Sequence, residues 1–151
     1  MRRKEPGHTR GGIVAALILA SLASLAPALP ASASDRPGPC DLHLEDGERV
    51  GHQMKELIRC ATAKWEVPGG AVKAICIADR ESGLNPKAVS GNGTYVGLYQ
   101  HTKEYWPARF EEYAKPAWAL SDNPLAGRTA VLVSVRMANE GGWGPWRGVG
   151  C

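Results

Sequence analysis

The chain has 151 residues, 44% of them hydrophobic, with 18 Lys+Arg against 15 Asp+Glu and four cysteines. That length sustains one hydrophobic core with room for a groove, and no second domain. Four of the cations (Arg2, Arg3, Lys4, Arg10) and one acid (Glu5) precede Ser34, so the remainder holds 14 of each sign and gives no electrostatic case for nucleic acid.

Arg2, Arg3, Lys4 and Arg10 form a positive n-region, Ile13–Leu25 a short apolar run, and Ala31-Ser32-Ala33 an A-x-A cleavage site. This order predicts a secretory signal peptide over residues 1–33. The apolar run falls short of the roughly 20 residues that a membrane helix needs, so no membrane span is expected. Residues 34–46 read as a linker with Pro37 and Pro39, and residues 47–151 as the folded domain. Cys40, Cys60, Cys76 and Cys151 all follow the cleavage site, and an even count in an exported chain reads as two disulfides. Three pairings are possible. Cys60 and Cys76 flank Pro68-Gly69-Gly70 almost symmetrically, which suits a bridge across a helical hairpin.

The first helix is predicted from Gly47 to Trp65, with Val50, Met54, Leu57, Ile58, Ala61 and Trp65 on one face. Glu45, Asp46 and Glu48 crowd its first turn, as the helix dipole favours. Val67-Pro68-Gly69-Gly70 breaks it. A second helix, Ala71 to Ser82, is expected to bury Val72, Ile75, Cys76 and Ala78 and to carry Glu81 in its last turn. Gly83 closes that helix, because glycine enters the left-handed conformation without a Cβ clash, and Asn85-Pro86 forbids continuation. A Gly/Ser/Asn-rich loop leads to a brief extended segment, Tyr95–Gln100. Thr102–Tyr113 reads as a helix with a wobble at Pro107, and Lys115–Asn123 as a loop. Pro124 suits the first position of a final helix running Leu125–Ala138, apolar nearly all round and therefore central. A Gly/Trp-rich tail, Gly141–Gly150, ends the domain. The fold class is mainly α, with a small β-like excursion.

Glu81 is the residue with a chemical role to fill. One carboxyl at the end of a rigid helix, facing a Gly-rich loop, is the mounting a proton donor and acceptor needs. Partial burial would raise its pKa and keep it protonated near neutrality. The usual glycosidase has a second carboxylate. Glu104, Glu111, Glu112, Asp122 and Glu140 are available, and none stands in a recognisable position. Nine of the ten aromatic residues beyond Ser34 follow Glu81, and some of their faces would be needed to stack on sugar rings. His43, His52 and His101 form no zinc pattern, and no cofactor motif is visible.

Glu81-Ser82-Gly83, Asn85-Pro86, Ala88, Ser90 and Gly97-Leu98-Tyr99-Gln100 together resemble the E-S-x-x-x-P-x-A-x-S…G-x-x-G-L-M-Q signature of lysozyme-like lytic transglycosylases. The tail Gly141–Trp146 with Cys151 is similar to the G-G-W-G-x-W ending of small secreted actinobacterial members of that family. The resemblance implies a lysozyme-like single domain beside whose cleft the β-like excursion lies. It implies a monomeric, secreted or wall-located enzyme that cleaves peptidoglycan glycan strands without cofactor or metal. Glu81 would be the single catalytic acid and base. Ser90, Tyr95 and Gln100 would bind substrate, Trp143 and Trp146 would wall the cleft, and Asn139 would keep the amide of the family's A-Y-N. The resemblance also favours Cys76–Cys151 with Cys40–Cys60. Met137-Ala138-Asn139 lacks the tyrosine of that A-Y-N, and Gly127 replaces an Asn. A muramidase using water stands as one alternative, and a non-catalytic glycan-binding protein that kept the groove, suggested by the missing tyrosine and the missing second carboxylate, as another.

Overall fold

A computed structural model describes residues 38–42 and 49–151 of the chain. The predicted signal peptide, most of the predicted linker, Gly47, His43 and the acidic trio Glu45, Asp46 and Glu48 lie outside the described residues.

The described part is mainly α. Helix α1 spans Val50–Lys64 and buries Met54, Leu57, Ile58 and Ala61, the i, i+3, i+4, i+7 face expected of it. Val50, at its first turn, is 49% exposed. Gly69 and Gly70, at φ +79° and +57°, reverse the chain into α2, Gly70–Ser82. Helix α2 packs on α1. It buries Ala74, Ile77 and Ala78, not the face centred on Val72, which is 83% exposed. Two alanines on the inner face allow close approach to α1, and the larger Val72 is turned to solvent.

The segment predicted as one extended run divides in two. Strand β1, Tyr95–Val96, pairs antiparallel with β2, His101–Thr102, and residues 97–100 form the turn between them. Val89 adds an antiparallel bridge to Val96. Two residues hold this excursion against the body. Gly97, at φ +79°, donates its N–H to the Ala88 carbonyl at 2.8 Å, and a Cβ on it would stand 2.4 Å from the Pro124 carbonyl oxygen. Tyr99 is fully buried, stacks on Trp143 at 6.0 Å and reaches the Ala74 carbonyl with its hydroxyl.

A 3-10 turn, Lys103–Tyr105, leads into α3, Trp106–Tyr113, so the predicted wobble falls one residue ahead of Pro107. Helix α4 spans Gly127–Gly141 and starts later than predicted. Pro124 is not its first residue. Asn123 accepts the Leu125 N–H on Oδ1 and the Ala126 N–H on its backbone carbonyl, so Pro124 and Leu125 belong to a side-chain-braced turn. Seven consecutive residues, Thr129–Val135, and then Ala138 are buried in α4, which packs against both α1 and α3 as the central helix. Gly127 lets its start approach α1, since a Cβ there would lie 2.7 Å from Met54 Sδ.

Two disulfides, Cys40–Cys60 and Cys76–Cys151, tie the segment before α1 to that helix and the chain end to α2. A bridge from Cys60 to Cys76 is thereby ruled out. The last residues coil into a 3-10 segment, Gly144–Val149, that packs on α2. Among the described residues no helix is long and apolar enough to cross a membrane.

Candidate functional site

Helix α2 ends where Gly83 enters the left-handed region at φ +62° and donates its N–H to the Asp79 carbonyl at 2.7 Å. Ser82 fastens the same turn from the side chain, its hydroxyl placed 2.8 Å from the Leu98 carbonyl and 3.0 Å from that of Ala78. The last turn of α2 is thereby joined to the turn between β1 and β2. Glu81 sits on this joint, half-buried, and burial raises its carboxyl above the ordinary 4.5.

The carboxyl opens on a groove of about 430 Å³. Tyr95, Gln100 and Thr102 line it from the small sheet and its turn, Tyr105 from the 3-10 turn, Arg109 from α3, and Pro145 and Trp146 from the C-terminal segment. Glu81 is the one acidic side chain among them. Tyr95 and Tyr105 are 46% and 55% exposed, so two aromatic side chains of the lining are accessible to solvent. Trp146 is buried, fixed by an indole N–H bond of 2.8 Å to the Tyr99 carbonyl and by edge-on packing against Tyr99 and His101. Gln100, at φ +49°, directs its amide Nε2 to the Gly97 and Ala88 carbonyls. Both partners being acceptors, the amide orientation follows, and its oxygen is left for a donor from outside.

Of the residues nominated from sequence, the fold brings Glu81, Tyr95, Gln100 and Trp146 to one groove and leaves three elsewhere. Ser90 braces the loop: its hydroxyl oxygen accepts the Tyr95 N–H and lies 2.8 Å from Asn92 Oδ1. Trp143 is packed flat on Tyr99 with its indole N–H on the Pro68 carbonyl, and borders a different cavity beside Lys73 and Cys151. Asn139, exposed near the end of α4, donates to the Glu66 carbonyl at 2.7 Å and so ties α4 to the α1–α2 connection. Trp143 and Asn139 have their side-chain N–H groups committed to the backbone of a distant segment, and Ser90 is committed to its own loop, which residue type and motif position could not show.

Sequence reasoning missed a buried polar chain behind the groove. His101, fully buried in β2, lies 2.7 Å from Ser134 Oγ through Nε2 and 2.8 Å from Arg109 Nη1 through Nδ1. A guanidinium can only donate, so Nδ1 carries the lone pair and the proton is on Nε2, pointing to Ser134. Burial, and secondarily the Arg109 charge, pull the imidazole pKa from 6.5 down to about 3. The ring is neutral. Trp106 and Trp146 pack edge-on against it at 5.0 and 5.4 Å. Arg109 also lies over the Tyr105 ring, 5.7 Å from its centre. The available signal was Ser134 within the otherwise apolar run Ala130–Val135, since a buried hydroxyl needs a partner.

Among the described residues no group of three His, Cys, Asp or Glu side chains is arranged to hold a metal ion. Comparison of the chain with family models, with curated proteins and with solved structures gives no match.

Proposed function

We propose that this chain is a secreted lytic transglycosylase of lysozyme-like fold that cleaves the β-1,4 bond between N-acetylmuramic acid and N-acetylglucosamine in peptidoglycan. The observation that carries the reading is Glu81, a half-buried carboxyl with a raised pKa at the wall of a groove. The signature around it and the solvent-accessible side chains of Tyr95 and Tyr105 support it further. The two disulfides fit an exported protein.

In this reading, protonated Glu81 gives its proton to the glycosidic oxygen as the bond from that oxygen to the muramyl C1 breaks. The carboxylate so formed takes the proton of the muramyl C6 hydroxyl while O6 bonds to C1, closing a 1,6-anhydro ring. Glu81 returns to the acid form, and no second carboxylate is required because the two transfers are sequential. The groove favours this over direct hydrolysis in one respect: its lining offers no second carboxylate to activate water.

Incubation with purified peptidoglycan followed by mass spectrometry tests the proposal. Anhydro-muramyl ends are expected. Reducing ends would instead mean a muramidase, and binding without fragments a glycan-binding protein. Glu81→Gln, which removes the transferable proton and almost no volume, should abolish cleavage and keep sugar binding. Undiminished cleavage by that variant would end the assignment.

A further inference from the structure

The groove contains a charge that single-carboxyl chemistry does not use. Arg109 lines it together with Glu81, yet among the described residues it forms no ion pair. The pairs present there join Arg59 to Glu56 and Arg136 to Glu140. Its protein partners are an imidazole nitrogen and an aromatic face, both uncharged. Nη1 is spent on His101 Nδ1, and the guanidinium lies over the Tyr105 ring, 5.7 Å from its centre. The remaining N–H groups meet no acceptor among the described residues, and none of them is buried.

The support behind this cation is rigid. His101 is anchored to Ser134 on the central helix and enclosed by Trp106 and Trp146, so the guanidinium is held from behind by a neutral, immobile acceptor. Pre-positioning of this kind lowers the entropy lost when a ligand is bound. A planar fork of donors fits a carboxylate, which accepts two parallel N–H bonds. An uncharged sugar hydroxyl would use only a fraction of that capacity.

We propose that Arg109 is a substrate-recognition residue that binds a carboxylate borne by the glycan strand, in the groove beside Glu81. This rests on the peptidoglycan reading above and narrows it: the protein selects acidic muramyl strands over neutral N-acetylglucosamine polymers. Such a strand presents carboxylates of one chemistry from two sources, the lactyl group of a muramyl residue without its peptide and the peptide stem itself.

The test uses the Glu81→Gln protein, in which binding is measured without turnover, with and without Arg109→Gln. Three ligands are titrated calorimetrically: a neutral N-acetylglucosamine tetramer, a muramyl glycan stripped of its stems, and a stem-bearing glycan. Arg109→Gln is expected to weaken the acidic strands about tenfold and to leave the neutral tetramer unchanged, consistent with losing a charge-assisted pair. Loss on the stripped glycan assigns the lactyl carboxylate, and loss on the stem-bearing strand alone assigns the stem. Equal losses on all three ligands, or none, overturn the proposal while the peptidoglycan reading stands. Failure to bind any of the three overturns both. Should Arg109→Gln not fold, the salt response of the Arg109-containing protein decides: acidic strands must weaken as salt rises while the tetramer does not, and parallel responses refute the proposal.

Discussion

Gly97 and Gly93 share a positive φ but not a neighbourhood, which makes them a pair for separating strain from collision. Their φ values are +79° and +72°. Placing an L side chain in that region costs about 1–2 kcal/mol at either site. At Gly93 nothing else is added, since the nearest atom to a new Cβ is Lys103 Nζ at 3.9 Å. At Gly97 the Cβ would stand 2.4 Å from the Pro124 carbonyl oxygen and 3.3 Å from its carbon. Restoring ordinary contact means moving backbone by about 1 Å in a packed site, an overpacking cost of about 1–3 kcal/mol. Gly97→Ala should therefore lose about 2–5 kcal/mol in all, and Gly93→Ala about 1–2 kcal/mol. Thermal unfolding followed by circular dichroism, on the oxidised protein, reads the difference. For a domain of this size Gly97→Ala should melt at least about 4 °C below Gly93→Ala. Equal melting temperatures would mean that the approach of the turn to Pro124 is not a fixed feature of the native state, and the reasoning fails.

The other predictions concern the bridges and two titrating groups. The Cys76–Cys151 bridge spans 75 residues of sequence and Cys40–Cys60 spans 20. Loop-closure entropy then gives about 4–5 kcal/mol for the first and about 3 kcal/mol for the second, so paired Cys→Ser replacement of the long bridge should lower the urea midpoint more; the reverse order would contradict this. His101 has a depressed folded pKa, about 3 against 6.5, so its contribution to stability is complete above 6.5 and is lost as pH falls toward 3. His101→Gln should flatten the acid side of a melting-temperature profile, and curves that stay parallel to native would rule the effect out. Glu81 runs the opposite way: its folded pKa is raised, so stability is full below 4.5 and declines as pH climbs through the folded value. Glu81→Gln should therefore gain on the native protein as pH rises above 4.5, in the same profile.

Much of the helical layout was legible because periodicity and breakers are local. The face Met54, Leu57, Ile58, Ala61 and the stop at Gly83 follow from side-chain spacing and from glycine's access to positive φ. Errors arose where a distant partner decided. Val72 is apolar and was expected inside, yet which side of α2 faces α1 depends on the fit of Ala74 and Ala78. Pro124 has the chemistry of a helix start, yet the Asn123 side chain and the pressing of Gly97 against the Pro124 carbonyl make it a turn.

The amino-acid order alone determined that Glu81 ends a helix, that a glycine-rich excursion follows it, and that an apolar helix lies at the centre. These depend on residues within a few positions of one another. Only the tertiary structure decided that Arg109, eight residues beyond His101, shares a groove with Glu81, and that Trp143 and Asn139 do not. The reason is that distant hydrogen-bond partners, such as the Pro68 carbonyl 75 residues before Trp143, compete for the same polar atoms, and that contest is settled by packing.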